Sequence, residues 1–239
     1  TEYPWDGAVK ITVNPVDASN FAVLIRIPGW TQNRPVPSNL YTYTADDGKR
    51  TEIKVNGNKL DYTINEEGYV VIERSWNEGD EIDINFPMEI HRVTSHQNVT
   101  ANQGKMALER GPIVYCIESN DNTTDLSNIA IDENVEINVK DYAINGNAMK
   151  ALQINAKTSG VNAINNVAAT AIPYYAWSNR GVSKMRVWME TKAEAITASP
   201  YTFVSNQWTK VDGRSDISYD ETNNTLRTSM AGDHNVAAN

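Results

Sequence analysis

The sequence predicts an all-β protein with two tandem antiparallel β-sandwiches of the jelly-roll kind and a polar C-terminal extension. Apolar and polar residues alternate over many short stretches, which is the pattern of strands with one buried face. Clusters of Gly, Pro and Asn separate these stretches at intervals of about ten residues, as in sandwich proteins. No stretch keeps a helical period between two caps, so we expect little helix beyond a short turn within residues 125–131.

Residues 1–90 are predicted to form the first sandwich. Strands are expected in the alternating runs 11–13, 21–27, 53–55, 60–64, 69–76 and 82–86. The pair Asn56-Gly57 lies between two of these runs and predicts a tight hairpin, because both residues tolerate positive φ. Pro87 is expected to end or edge the last strand, because proline has no N–H group to donate to a neighbouring strand.

Residues 91–192 are predicted to form the second sandwich. New apolar runs occur at 105–108, 113–117, 135–139, 152–154 and 185–189, and Gly111-Pro112 makes a turn between the first two. Residues 193–239 are rich in Ser, Thr, Asn and Asp. Two interpretations of this extension stay open. It is either a polar tail that lies across the preceding sheets, or the start of a truncated third module with strands at 208–211 and 225–228.

Composition and charge exclude several classes of function. The 239 residues include 21 Lys and Arg against 30 Asp and Glu, and this net charge of −9 argues against nucleic acid and anionic membranes as partners. No apolar run is long enough to span a bilayer. A single cysteine cannot form an intramolecular disulfide. Frequent Asn with little Lys suits an exported bacterial protein, so we expect a periplasmic or extracellular location.

No pair of carboxyl groups has the surroundings that a glycosidase requires. Such an enzyme needs one protonated and one ionised carboxyl group at the scissile bond. The adjacent carboxylates Glu66 and Glu67, and likewise Asp46 and Asp47, lie in polar turns beside glycine. A solvated turn does not raise the pKa of a carboxyl group. We therefore predict no catalytic residue in this chain.

The histidines and the cysteine do not predict a metal site or a nucleophile. His91 and His96 are an odd number of residues apart, which places them on opposite faces of a regular strand, and no third ligand is evident. Cys116 lies in an apolar strand run, where a small buried thiol is the ordinary case. We predict no metal ion and no cofactor in this chain.

Aromatic residues supply the candidate functional site. The chain has six Trp and eleven Tyr against three Phe, a preference for rings with a polar edge, which proteins use at interfaces and on sugars. Three rings, an amide and a guanidinium occur together in residues 174–181, and a further Trp follows Pro28-Gly29 at a strand end. The candidate interdomain or sugar-contact residues are Trp30, Tyr174, Tyr175, Trp177, Asn179 and Arg180. Two interpretations are equally open: a loop that closes the end of the sandwich, or a docking or ligand surface.

Several motifs in a fixed order resemble a known family. They are Tyr3-Pro4-Trp5-Asp6-Gly7, Arg26-Ile27-Pro28-Gly29-Trp30, Val55-Asn56-Gly57, Gly68-Tyr69, Arg74-x-Trp76-x-x-Gly79-Asp80, Pro87-Met88, Gly104 to Cys116, Asp121-Asn122 and Ile172 to Gly181. Together they resemble the C-terminal region of glycoside hydrolase family 127 proteins, the β-L-arabinofuranosidase-like enzymes common in gut Bacteroidetes. The resemblance covers about residues 3–190.

The resemblance implies a parent enzyme with an N-terminal α/α barrel followed by two β-sandwiches, of which this chain resembles the sandwiches alone. It places the proposed cysteine nucleophile, and the zinc ion with its cysteine and glutamate ligands, in the barrel. Cys116 matches a sandwich strand of the family. The implied partner is the catalytic barrel of the same parent protein. The alternative is a carbohydrate-binding module that binds polysaccharide on Trp30, Trp177 or Trp208.

Overall fold

The structure is a computed structural model that describes residues 1–196, 217–220 and 225–228. Residues Thr1–Ile196 form one compact unit, and the residues from Thr197 onwards belong to a second unit. In the second unit the expected strand at 225–228 is present and pairs with a strand at 217–220. The strand expected at 208–211, with Trp208, lies outside the described residues.

The prediction of an all-β fold is confirmed. Strands account for 49% of the structure and helical turns for 7%, with no helix of seven or more residues among the described residues. The strands are β1 (Ala8–Val13), β2 (Ser19–Arg26), β3 (Tyr41–Tyr43), β4 (Glu52–Val55), β5 (Asn58–Lys59), β6 (Tyr69–Trp76), β7 (Asp80–Asn85), β8 (Ile90–Ser95), β9 (Lys105–Arg110), β10 (Ile113–Glu118), β11 (Ile129–Ala130), β12 (Ile137–Ile144), β13 (Asn147–Gly160), β14 (Ala163–Pro173), β15 (Met185–Arg186), β16 (Met189–Glu190), β17 (Ile217–Asp220) and β18 (Thr225–Thr228).

In the described part of the chain, four short 3-10 helices connect the strands. They are η1 (Gly29–Gln32), η2 (Thr100–Asn102), η3 (Leu126–Asn128) and η4 (Tyr174–Ala176). The turn expected within 125–131 is η3, whose first residues are capped by the Asp125 carboxylate, which accepts a hydrogen bond from the Ser127 N–H. Within the described residues, no helix has the length and apolar character needed to cross a membrane.

The first sandwich packs a four-stranded sheet, in the order β1-β7-β4-β5, against the two-stranded sheet β2-β6. Alternation places every second side chain of each strand between the sheets. The buried core between them consists of Ile25, Ile27, Ile53, Val55, Val70, Ile72, Trp76, Ile82 and Ile84. Because both sheets contribute to this cluster, they are held together face to face.

The hairpin predicted at Asn56-Gly57 is present. Val55 pairs directly with Asn58, so the loop has two residues. Asn56 has φ 50° and Gly57 has φ 76°, the two positive values that a type I′ turn requires. The turn residues therefore set the register of β4 and β5.

The strand predicted over residues 60–64 is wrong. Strand β5 ends at Lys59. Leu60, Tyr62 and Ile64 nevertheless pack against the core of the first sandwich. The N–H of Leu60 still donates to the backbone oxygen of Ile53 at 2.9 Å, but residues 61–64 form no strand, so alternation there reflects the burial of side chains alone.

The second sheet has ten strands, and six of them form a closed ring of hydrogen-bonded neighbours, β10-β14-β13-β11-β16-β9 and back to β10. The ring surrounds a core that includes Met106, Leu108, Tyr115, Ile117, Leu152, Ile154, Ala169, Ala171 and Met189. Strand β12 extends the sheet beside β13, and β8 extends it beside β9. Strand β3, from the first ninety residues, pairs with β8 and so belongs to this sheet.

The single strand predicted over residues 185–189 is also wrong. Met185 and Arg186 pair with β10, whereas Met189 and Glu190 pair with β9 and β11. The alternation of Met185, Val187 and Met189 is real, but the chain passes from one side of the ring to the other between the two short strands.

Candidate functional site

Residues Tyr174–Gly181, here called the aromatic loop, follow β14 directly. Ala176 is fully buried, in a cluster that also contains Cys116 and Ile172. The three rings of the loop stay exposed, with 47% of Tyr174, 61% of Tyr175 and 38% of Trp177 accessible. Ala176 thus packs the loop against the sheet, while the three aromatic side chains of the loop face outward.

Among the described residues, the rings of the aromatic loop make two contacts with other aromatic rings. Tyr174 and Trp177 lie with their planes 13° apart and their centroids 6.5 Å apart. Tyr175 contacts Trp5, at a centroid distance of 6.5 Å and a tilt of 44°. Nη1 of Arg110 donates to the backbone oxygen of Trp5 at 3.1 Å and so holds this tryptophan beside the second sheet. The aromatic loop therefore borders the N-terminal segment of the chain.

Trp30, which was predicted with this group, packs in another place. It lies in η1, half-buried, with its ring 5.9 Å from that of Phe86. It also packs against the buried residues Tyr43, Val93 and Ala107. Among the ring contacts of the described residues, Trp30 pairs with Phe86 and not with the aromatic loop.

Arg180 anchors the aromatic loop to the end of β10. Its guanidinium contacts the carboxylates of both Glu118 and Asp121, and its Nη1 lies 2.7 Å from Oδ1 of Asp121. The side chain of Glu118 is fully buried and that of Asp121 is 5% exposed. A guanidinium that donates to two carboxylates fixes both distance and direction.

The buried carboxylate of Glu118 also binds other parts of the same loop region. The backbone N–H of Ser178 and the hydroxyl of Ser183 both donate to its Oε1. Nδ2 of Asn122 donates to the backbone oxygens of Glu118 and Thr170, at 2.8 and 3.0 Å. The acceptors of this buried acid are therefore satisfied from several directions, as a buried charge requires.

The charges of this cluster balance. Burial acts to raise the pKa of Asp121, but hydrogen bonds from Arg180 and Tyr142, with the nearby charge of Lys140, hold that pKa below its ordinary value. Hydrogen bonding to Asp121 raises the pKa of Arg180. Two carboxylates thus face two cations, and the arrangement suits a fixed ionic anchor rather than a proton donor.

Asn179 lies at the exposed tip of the loop. Its backbone oxygen accepts a hydrogen bond from Nδ2 of Asn145, at 2.8 Å, which ties the tip to the turn between β12 and β13. Ser178 and Gly181, on either side, have positive φ values of 65° and 101°. Five of the six candidate residues therefore belong to one anchored loop.

Cys116 is fully buried, and burial raises the pKa of its thiol to about 12. This is the environment of an unreactive structural thiol. His91 stacks on Tyr43 with centroids 4.2 Å apart, and burial lowers the pKa of the histidine. In the described part of the chain no three His, Cys, Asp or Glu residues are grouped to hold a metal ion. The expectation that the chain holds no cofactor stays a prediction.

Glu118, Asp121 and Tyr142 were not predicted as members of the site. They lie about sixty and forty residues before Arg180, and local patterns cannot indicate pairing over such separations. The motif Asp121-Asn122, which follows β10, was the available signal.

Two protein-family models match the chain. The model for the β-L-arabinofuranosidase GH127 middle domain matches residues 1–88, and the model for the glycoside hydrolase family 127 C-terminal domain matches residues 90–190. This chain belongs to glycoside hydrolase family 127. The resemblance inferred from the motifs is thereby confirmed, and the aromatic loop of this family 127 chain lies in the part that matches the C-terminal domain.

Known relatives agree with this assignment. The family 127 chain is 28% identical to a non-reducing end β-L-arabinofuranosidase from Bifidobacterium longum subsp. longum, over 78% of this chain and 29% of the relative. A solved GH127 β-arabinofuranosidase matches with a TM-score of 0.74 and 32% identity, over 80% of this chain and 31% of that one. A GH127 β-L-arabinofuranosidase from Geobacillus stearothermophilus T6 matches with a TM-score of 0.69 and 34% identity, over 80% and 29%. The family 127 chain spans less than a third of each relative and is a fragment of the full enzyme.

Proposed function

We propose that this chain is the non-catalytic accessory region of a secreted bacterial glycoside hydrolase, with β-L-arabinofuranosidase-like activity on plant-type glycans. In this proposal it packs through the aromatic loop against the catalytic barrel of the same parent protein. The observation that carries the proposal is the contact of Tyr175 with Trp5, because it places exposed rings beside the segment that precedes the first sandwich.

Three rings that lie within four residues of each other in sequence are each more than a third exposed, and proteins usually cover exposed aromatic rings that occur in groups. Burying the exposed part of one such ring contributes roughly 2 kcal/mol, at about 25 cal/mol per Å². Tyr and Trp are enriched in interfaces because their apolar bodies are buried while the polar edge keeps a hydrogen bond. A catalytic domain packed on this patch would therefore be held firmly.

The anchoring of the aromatic loop supports a docking role. A loop that is already fixed loses little conformational entropy when a partner covers it. Arg180, with its two buried carboxylates, supplies that rigidity before any partner is bound. We propose a periplasmic or extracellular location because polysaccharide substrates do not cross membranes, and fractionation of the source cells tests this location.

Polysaccharide binding is the second candidate function, and the nearly parallel rings of Tyr174 and Trp177 favour it. Parallel exposed rings offer a flat apolar surface to a sugar ring. A binding module would shift its tryptophan fluorescence when titrated with arabinan or related plant glycans, and would be retarded in polysaccharide gels. Absence of both effects would reject this candidate.

The docking proposal is tested with Tyr175→Ala and Trp177→Ala, each made in the full parent protein and in this chain alone. We expect each change to lower the unfolding free energy of the parent by roughly 2 kcal/mol, because a covered ring is lost, and to change the chain alone much less. Leu40→Ala, at an exposed apolar residue outside the loop, is the matched control. Equal losses in parent and chain would mean that the loop only packs locally.

Activity on a panel of p-nitrophenyl glycosides that includes the β-L-arabinofuranoside tests the accessory role. We expect turnover by the parent and none by this chain alone. Turnover by the chain alone would overturn the proposal that it is non-catalytic.

A further inference from the structure

Strand β2 is one of the edge strands of the first sandwich. Among the described strands, β2 pairs with β6 alone, so one side of β2 has no neighbour there. The register runs without interruption from Ser19 opposite Trp76 to Arg26 opposite Tyr69. Strand β2 is thus a straight edge of eight residues without a bulge.

The hydrogen-bond pattern shows which backbone groups face this edge. The N–H of Ile27 donates to the backbone oxygen of Gly68 at 3.0 Å, and these two residues continue the same register. Bonded and non-bonded pairs alternate in an antiparallel ladder, so the odd-numbered residues of β2 bond to β6. The N–H and C=O groups of Ala22 and Leu24 therefore point away from β6.

The core is covered along β6 but only in part along β2, where Ile25 is 6% exposed. The inward residues Val70, Ile72 and Trp76 of β6 are at most 5% exposed. On the same inward side of β2, by contrast, Phe21 is 38% exposed and Val23 is half-buried. The first half of β2 therefore leaves part of the core uncovered.

Edge strands of isolated proteins usually carry protection against further pairing, such as Lys, Pro, a bulge or an inward charge. Strand β2 reads Ser-Asn-Phe-Ala-Val-Leu-Ile-Arg and has a charge only at Arg26, its last residue. On its outer face Leu24 is 54% exposed and lies opposite Val71, which is 47% exposed. An edge with this composition is suited to pair with another strand.

We propose that a β-strand from the part of the parent protein that precedes this chain pairs with the free edge of β2. The matched family models are a middle and a C-terminal domain, and the chain spans less than a third of its relatives, so the family's members carry further sequence, and a middle domain implies a domain before it. The added strand bonds to Ala22 and Leu24, and alternate side chains cover Phe21 and Val23. The inference rests on the proposed function in that it needs a parent with an upstream part.

Hydrogen exchange of the full parent protein tests the pairing. We expect the amides of Ala22 and Leu24 to exchange at least about 100-fold more slowly than unprotected amides, like the amides of the ladder itself. Fast exchange at both positions would overturn the proposal. Protection that disappears when residues 197–239 are deleted, or when the parent is diluted to a monomer, would assign the edge to another occupant and would also overturn it.

Ala22→Pro in the parent gives a second test, with Ala22→Val as the control that keeps the N–H group. Proline is tolerated at a free edge but removes a hydrogen bond at an occupied one. We expect proline, and not valine, to abolish the protection of Leu24 and to lower the melting temperature. Equal effects of the two changes would argue for a free edge. Tyr175→Ala should leave β2 exchange unchanged, so that failure of the docking proposal is recognised separately.

Discussion

Arg180 is the residue on which the conformation of the aromatic loop depends. Its partners Glu118 and Asp121 are almost fully buried, so the energetics differ from those of an exposed pair. A buried ion pair adds little net stability relative to apolar replacements, but removing one partner leaves uncompensated charge. The contribution of this ion pair to stability is therefore best measured by replacing Arg180 and keeping both carboxylates.

Arg180→Met should destabilise the chain by about 3 kcal/mol, because two buried carboxylates lose their common cation. Denaturant unfolding of the two proteins measures this difference. Lys10→Met is the control, since Lys10 and Glu81 form an exposed ion pair that we expect to contribute less than about 1 kcal/mol. Similar small losses for both variants would mean that water replaces the guanidinium.

The pH dependence of stability gives a further test at Asp121. Its pKa in the folded state lies below the value of about 3.9 in an unfolded chain, so its stabilising effect is complete above about pH 4. The effect is lost as the pH falls through the folded-state pKa. We expect the stability difference between the native protein and Asp121→Asn to be constant from pH 7 to 5 and to shrink below pH 4. A difference that grows on acidification would contradict this assignment.

Among the elements, the hairpin of β4 and β5 depends on two backbone conformations. A Cβ atom added at Gly57 would meet no atom within 4 Å, so only its φ of 76° opposes substitution. Gly57→Ala should therefore lower stability by about 1 kcal/mol, as measured by denaturant unfolding. Gly57→Asn, which tolerates positive φ, is the control and should cost less. Equal costs would show that the turn relaxes to another type.

The strands also show which elements can be predicted from the sequence and which cannot. Strands that alternate and end in a turn, such as β6 and β7, were predicted because burial and pairing coincide there. Strand β14 was not predicted, because five consecutive residues at its end are buried and its sequence has no alternation to detect. Residues 60–64 gave the opposite error, since alternate side chains pack on the core although the segment forms no strand.

The candidate site was predicted only in its local part. The rings of the aromatic loop are adjacent in sequence and stand out by composition, whereas the carboxylates that hold the loop are distant in sequence. Trp30 was grouped with the loop by residue type, but its position is decided by packing against Phe86. Long-range pairing of charged groups is a property of the fold and leaves no periodic signal.

At the scale of the whole molecule, the chain is a fragment of a family 127 protein. Its uncovered surfaces are therefore candidate contacts with the rest of the parent protein. The two proposed contacts lie at different places, the aromatic loop after β14 and the free edge of β2. Each has its own variants and its own measurement. Loss of one contact without the other would show that the two proposed contacts form independently.

Strand β3 bears on how such a chain is inherited. The family models divide this chain near residue 89, yet Tyr41–Tyr43 complete the sheet that the second model describes. A gene that encoded only residues 90–190 would give a sheet in which the outer side of β8 has lost its neighbour β3. Recombination within this region would therefore be selected against, and the two sandwiches should pass between genes as one piece.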